Sequence, residues 1–350
     1  MRCTVAKKNG KTDRMNEKSE NSPSELPAGG RTIAVLGAGT MGHGIAQVFA
    51  LAGYAVNLYD SHEPTLDAAT GRIARSLGTF ISRGMVSSEQ SRACLSRVHL
   101  CTRVALACKD AGLVCEAVPE DADLKGDLFL RVEEIVSDRA IICTNTSALS
   151  ISMLSQRLSL PGRFLGVHFW NPAQVIPCVE VIKGDRTDPE VFDQMVDLLR
   201  AVGKEPVRVK KDVPGFLGNR LQHALQREAL YLVEAGIASP EDVDKVVKHG
   251  FGLRYAFMGP LERADLGGLD ITYAVQRYLL KELDGRTDAS PLLAELVARG
   301  ELGLKTGRGF YEWSREKAEA TSQRRDVALL GIIQLLKALE DSPSDASPRS

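Results

Sequence analysis

Apolar positions along the chain follow two regimes. Short runs of β-favouring residues at 32–36, 55–59, 111–117, 140–144, 163–168, 178–182 and 206–209 alternate with longer amphipathic stretches. From residue 216 onward the spacing is helical, at 216–234, 240–249, 271–283, 290–298 and 324–340. Alternating strands and helices predict a parallel sheet wound on both faces, so the expected fold is an α/β Rossmann-type doubly wound sheet followed by an all-helical C-terminal domain. Residues 65–99 read as one long or two shorter polar helices, with Gly84 interrupting the pattern. Domain boundaries are expected at 31–213 for the sheet domain and 214–340 for the helical one, with flexible tails at 1–30 and 341–350.

The first strand runs into Gly37-Ala38-Gly39-Thr40-Met41-Gly42 and then a helical pattern through Ala52. Gly37 suits the tight turn, Gly39 lets a pyrophosphate approach the backbone, and Gly42 allows helix and sheet to pack closely. The helix start offers N–H groups to the phosphates. A glycine-rich turn alone is a common feature, but the second strand ends in Asp60, 23 residues after Gly37. A carboxylate there accepts the ribose hydroxyls and repels the extra phosphate of NADP, so NAD is the expected cofactor. Capping of the next turn is the alternative reading of Asp60, which the joint spacing with the glycine turn disfavours.

Charge and cysteine content narrow the partners. The 44 basic and 45 acidic residues leave a formal charge of -1 with no basic stripe, which speaks against nucleic acid. Arg72, Arg75, Arg83 and Arg97 give the 65–99 segment a mildly basic face, either solvated surface or a meeting place for a phosphorylated substrate. No apolar run approaches the roughly 20 residues of a membrane span. Seven scattered cysteines without close CxxC pairs predict no metal site and a reducing, cytoplasmic setting. Acidic residues within 1–30 argue against a mitochondrial presequence.

Candidate chemistry gathers at strand ends. Asn145-Thr146-Ser147 closes the 140–144 strand, where small polar side chains face the crevice of a parallel sheet, and Ser147 is a candidate for substrate contact; Ser150 reads as a helix cap. His168 ends the 163–168 strand, and Glu180 sits in the 178–182 strand beyond Pro172 and Pro177, which turn the chain between them. Alcohol oxidation needs a base of suitable pKa and a carboxylate to orient it, and this pair offers both. A packed strand histidine and a solvent-facing glutamate explain the same spacing equally well. Asn219, on the first long helix of the second domain, is either a substrate contact or a helix-surface residue.

The chain resembles the 3-hydroxyacyl-CoA dehydrogenase family from about Ile33 to Trp313. The resemblance rests on the glycine motif, Glu116-Ala117-Val118-Pro119-Glu120, Asn145-Thr146-Ser147, His168-Phe169-Trp170-Asn171-Pro172, Val179-Glu180-Val181, Pro214-Gly215-Phe216 with Asn219-Arg220, Met258-Gly259-Pro260-Leu261-Glu262, and the run Gly303 to Tyr311. It implies His168 as base, Glu180 as its orienting carboxylate, and Ser147 and Asn219 as holders of the substrate oxygen. It also implies cofactor contacts from Gly37, Gly39, Thr40, Met41, Gly42, Asp60, Glu120, Lys125 and Asn145, and a homodimer built through the helical domain. The implied reaction is NAD-dependent oxidation of a short-chain L-3-hydroxyacyl-CoA to the 3-oxoacyl-CoA. Trp170 departs from the usual phenylalanine, and the segment from Phe251 to Phe257 looks more like relatives that act on small free acids such as L-gulonate. Arg254 in that segment offers a bidentate fork for a substrate carboxylate, or is an ordinary surface arginine. A non-catalytic NAD-binding protein on the same fold is a further alternative, opposed by the joint presence of His168, Glu180, Ser147 and Asn219.

Overall fold

The computed structural model describes Leu26 and residues 29–340. In chain order the elements are β1 (Thr32–Leu36), α1 (Gly42–Leu51), β2 (Ala55–Tyr59), α2 (Glu63–Ser82), α3 (Ser88–Ser96), β3 (Val98–Cys101), α4 (Val104–Cys108), β4 (Leu113–Glu116), α5 (Ala122–Glu133), β5 (Ile141–Thr144) and α6 (Ile151–Leu154). They continue with β6 (Phe164–Phe169), β7 (Cys178–Ile182), α7 (Pro189–Ala201), β8 (Glu205–Val209), α8 (Gly218–Glu234), α9 (Pro240–Val246), α10 (Gly252–Tyr255), α11 (Pro260–Gly267), α12 (Leu269–Leu279), α13 (Pro291–Ala298) and α14 (Arg315–Glu340). Strand order in the sheet is β3-β2-β1-β4-β5-β6-β7-β8. The described chain divides into two compact units, one running to Val118 and including Phe129–Ile142, the other comprising Pro119–Leu128 and the chain from Cys143 onward.

In the first unit β1 pairs in parallel with β2 and β4, and β2 with β3. The sequence run Leu113-Val-Cys-Glu116 is buried at every position, as expected of a strand covered on both faces. Helix α1, Gly42-His-Gly-Ile-Ala-Gln-Val-Phe-Ala-Leu51, has no charged residue and buries eight of its ten positions, so it belongs in the interior rather than on a surface. Helix α2 buries Leu66, Ala69, Ile73, Leu77 and Phe80 along one stripe. Each of these side chains apart from that of Ala69 contributes about 1.5–3 kcal/mol on burial. Gly84 then turns the chain at a φ of +67°, and Ser87 starts α3 with a reciprocal cap. Gln90 N donates to its Oγ at 3.0 Å, while Ser87 N donates to Gln90 Oε1 at 2.7 Å.

Residues 65–99 therefore form two helices, but the pattern conceals β3, which pairs with β2, and the short helix α4 that follows. Val98-His-Leu-Cys101 lies at the end of the strand order, with its two central residues exposed, so it lacks the apolar run of the inner strands. The flexible tails expected at 1–30 and 341–350 fall outside the described residues, except for Leu26 and residues 29–30. Leu26 is buried over Gly112.

In the second unit β6 and β7 are antiparallel and β7 and β8 parallel, so the sheet is mostly rather than wholly parallel. Edge strand β8 contains Pro206, which an end position tolerates. The helical region is more broken than the sequence pattern predicts. The helix expected at 240–249 gives way after Val246 to a π-helical turn over Val247–Phe251, kinked at Gly250, and α11 had no counterpart in the pattern. Two isolated bridges, Gly303 with Arg308 and Arg308 with Glu312, interrupt an otherwise helical region. No described helix is long and apolar enough to cross a membrane.

Candidate active site

The glycine turn of the first unit is shaped by close backbone approach. Gly37 has a φ of +100°, and a Cβ there would lie 2.4 Å from the Ala117 carbonyl oxygen. A Cβ on Gly42 would meet the Gly37 carbonyl oxygen at 1.7 Å. Gly39, by contrast, faces open space, with nothing within 4 Å of the Cβ position. Among the described residues no protein acceptor meets the N–H groups of Thr40 or Met41, and α1 begins without a side-chain cap. Open space over Gly39 and free N–H groups at a helix start fit a pyrophosphate.

Asp60 stands at the end of β2. Its Oδ2 accepts from Ala38 N at 2.8 Å and its Oδ1 from His62 N at 2.9 Å. It therefore ties the glycine turn to the second strand, with lone pairs left for ribose hydroxyls. Two residues the sequence did not single out for this turn act on it. Arg72 Nη2 donates to the Ala38 carbonyl at 2.6 Å and to Thr65 O at 2.9 Å, so this member of the basic face serves the turn itself. His43 Nδ1 lies 2.7 Å from Gly39 O, and burial lowers its pKa below 6.5.

In the second unit the β6–β7 register places His168 directly opposite Glu180. Cross-strand neighbours share a face, and His168 Nδ1 lies 2.7 Å from Glu180 Oε2 with both residues buried. Strand β7 is covered on both sides, so alternation does not turn Glu180 to solvent. The other oxygen, Oε1, accepts from Leu217 N and Gly218 N at 2.9 Å each, at the start of α8. Burial alone would push the Glu180 carboxyl up, but the bonds from His168, Gly218 and Leu217 outweigh it and hold the group below 4.5. An ionised carboxylate only accepts, so the proton of neutral His168 sits on Nδ1 and leaves Nε2 as an acceptor.

Rings wall this pair. Phe216 is fully buried with its ring 6.0 Å from that of His168, and Trp170 lies at 5.5 Å. Phe216 has a φ of +50°, an unusual left-handed position for a bulky residue. It directly precedes the N–H groups that hold Glu180. Gly218 is where the Trp170 ring meets α8: a Cβ there would be 2.0 Å from Trp170 Cζ2.

A second network lies in the same unit. Glu120 Oε1 accepts from Thr146 Oγ1 at 2.5 Å and from Ser147 N at 2.8 Å, and its Oε2 is 3.3 Å from the buried Lys125 Nζ. Burial raises the Glu120 carboxyl, yet Thr146, Lys125 and Ser147 together hold it below 4.5. Asn145 Oδ1 accepts from Phe169 N at 2.8 Å, and Asn219 Nδ2 donates to Ser147 O at 3.0 Å. The Ser147 hydroxyl is exposed and has no partner among the described residues. Thr146, buried and central to the network, belongs to the strand end already singled out, but its bond to Glu120 spans 26 residues and has no sequence signal. Ser150 does cap α6, accepting from Met153 N at 3.1 Å.

Arg254 lies in α10, exposed, and among the described residues its side chain has no hydrogen bond or ion pair, to His168, Glu180, Ser147 or Asn219 included. The described thiols Cys94 and Cys108 are pushed up by burial, to about 11 and about 12, and do not act as nucleophiles at neutral pH.

The description "3-hydroxyacyl-CoA dehydrogenase, NAD binding domain" matches residues 32–213, and "3-hydroxyacyl-CoA dehydrogenase, C-terminal domain" matches 215–313. The chain belongs to the 3-hydroxyacyl-CoA dehydrogenase family. It is an oxidoreductase that uses NAD. Within the family it is similar to the 5-formyl-3-hydroxy-2-methylpyridine 4-carboxylate 5-dehydrogenase of Mesorhizobium japonicum, 34% identical over 310 residues that cover 89% of this chain and 99% of that one. It is also 35% identical, over 284 residues, to the 3-hydroxybutyryl-CoA dehydrogenase of Clostridioides difficile, covering 81% and 99% of the two chains. Among solved structures, an NAD+-dependent 5-formyl-3-hydroxy-2-methylpyridine 4-carboxylic acid 5-dehydrogenase matches with a TM-score of 0.83 at 34% identity, over 88% of this chain and 98% of that one.

Proposed function

We propose that this family member oxidises the 3-hydroxyl of a short-chain L-3-hydroxyacyl-CoA to the 3-oxo thioester. The observation that carries the reading is the buried His168–Glu180 pair. His168 Nε2 takes the hydroxyl proton, and Glu180 stabilises the imidazolium that results. The free Ser147 hydroxyl and the Asn219 amide hold the substrate oxygen. NAD, when bound, accepts the hydride that leaves C3. On this reading the glycine turn, with Thr40 and Met41, receives the pyrophosphate and Asp60 the ribose; Glu120, Lys125 and Asn145 complete the cofactor contacts. A non-catalytic NAD-binding role leaves the buried histidine–carboxylate pair and its second anchor without a purpose.

A second substrate reading, a small free hydroxy acid, is favoured by one observation. The chain resembles the pyridine-carboxylate dehydrogenase structure over 88% of its length at a TM-score of 0.83. On that reading the unpaired Arg254 grips the carboxylate. Assay of one preparation with 3-hydroxybutyryl-CoA and with free hydroxy and sugar acids separates the two, compared by kcat/KM. Thioester preference with no effect of Arg254→Ala on the acids eliminates the second reading.

We infer a homodimer, because α8 buries none of its residues within the described chain and Leu269, Ile271, Tyr273 and Tyr278 of α12 are each at least 60% exposed. The division at residue 213, between a nucleotide domain and a helical domain, and a cytoplasmic location belong to the same proposal; the six described cysteines are all free.

A further inference from the structure

The first half of α8 and the loop before α13 line an open cavity of about 770 Å³ whose wall includes Asn219, Arg220, His223, Arg227, Arg286 and Asp288. Asn219, His223 and Arg227 recur every fourth residue, so they lie along one face of the helix, and the first and last are separated by about 12 Å along its axis. The cavity thus begins at the amide that donates to Ser147 O and extends along α8 to an arginine.

Its cations are unequally neutralised. Arg286 is paired with Glu234 at 2.8 Å and Asp284 at 2.5 Å. Arg220 and Arg227 donate only to backbone carbonyls, those of Pro214 at 3.3 Å and Arg286 at 3.2 Å. Among the described residues neither has a carboxylate within ion-pair distance. Asp288 is the one acidic side chain of the wall, and its Oδ1 accepts from Ala289 N. Two exposed arginines without a carboxylate partner and one aspartate therefore share the wall of the same concave space, with most guanidinium donors unused.

We propose that this cavity receives a carboxylate carried by the substrate several bonds away from its reacting carbon. The proposal rests on the reading of Asn219 as a substrate-oxygen contact, and it narrows the substrate class to hydroxy compounds with a distal carboxylate. The source is either an ω-carboxylated 3-hydroxyacyl thioester or a free dicarboxylic hydroxy acid. Arginine's planar fork matches a carboxylate on two bonds. The volume suits a small chain.

The experiment compares 3-hydroxybutyryl-CoA, 3-hydroxyadipyl-CoA and free 3-hydroxyadipate as substrates of the full-length protein with NAD, for wild type, Arg227→Gln and Arg227→Lys. The expected result is a preference of about tenfold or more for a carboxylated compound over the butyryl thioester, with the better of the two identifying the source. Arg227→Gln should raise KM for that compound about tenfold at nearly unchanged kcat, leave the butyryl thioester alone, and be partly rescued by Arg227→Lys. Equal loss on all three substrates, or none, overturns the subsite. Thermal melting with adipate reads binding without turnover. Adipate should raise the melting temperature of wild type but not of Arg227→Gln, and the absence of any wild-type shift also overturns the subsite. Retention of that difference in a protein that oxidises none of the three supports the subsite and refutes the catalytic reading instead. Arg220→Gln repeats the melting test should Arg227→Gln fail to fold, with the same outcomes expected and disqualifying.

Discussion

Glu180 joins His168 to the start of α8: its Oε2 lies 2.7 Å from His168 Nδ1 while its Oε1 accepts from Gly218 N at 2.9 Å. One buried carboxylate thus sets the tautomer of a histidine on β6 and fixes the entry of the helix that carries Asn219.

His168→Gln should fold and bind NAD normally, because the glycine turn is built without it, and lose turnover by about 100- to 10,000-fold. Stopped-assay rates and NAD titration on the same preparation check this. Near-normal turnover across pH would remove His168 as the base.

For Glu180 the direction of the pKa shift fixes a stability prediction. The carboxyl is held below 4.5 in the fold, so the native state binds this proton less readily than the unfolded chain. Its stabilising contribution is fully present above about pH 4.5 and is lost as pH falls through the lower folded value. Glu180→Gln should therefore be less stable than wild type at neutral pH, and the gap should close in acid. Urea unfolding at a series of pH values measures it; a gap independent of pH would show that the shift is not there.

Gly37 and Gly39 should respond differently to alanine. Gly37→Ala meets both the positive φ and the Ala117 carbonyl, so it should lower the melting temperature, the left-handed backbone alone costing about 1–2 kcal/mol. Gly39→Ala meets nothing and should leave melting unchanged while weakening NAD, since its methyl occupies the approach of the pyrophosphate. The reverse order would mean that the turn does not hold the cofactor as described.

Asp60→Ala should weaken NAD by about 1.5–3 kcal/mol and narrow its preference over NADP. Binding titrations of both cofactors against wild type and variant decide the matter. Tighter NADP than NAD in the wild type would contradict the ribose role.

Light scattering at micromolar concentration should give about twice the chain mass of 38.0 kDa. A monomer mass would leave the exposed apolar faces of α8 and α12 unexplained and remove the dimer.

Inner strands were legible in the sequence because burial on both faces demands continuous apolar runs, as in Ile141-Ile-Cys-Thr144. The edge strand β3 and the short helix α4 were not, since neither a half-exposed tetrapeptide nor a five-residue helix completes a recognisable period. His168 and Glu180 could be named from residue type and strand position, but their meeting depends on the β6–β7 register. The second anchor of Glu180 was invisible for a different reason. Its donors are the backbone N–H groups of Leu217 and Gly218, which every residue except proline possesses, so no side-chain pattern announces them. The α8 cavity was hidden too, because its second wall, residues 286–290 and Leu293, arrives from a segment distant in sequence.

The contact between Trp170 and Gly218 makes those two positions interdependent in evolution. With tryptophan in place, any side chain at 218 would collide with the indole 2.0 Å away, so a lineage that acquires the larger ring must already have, or simultaneously gain, glycine at the head of the helix. Once the ring is there, replacing the glycine requires the indole to move. Substitutions at these two sites should therefore be found together across descendants.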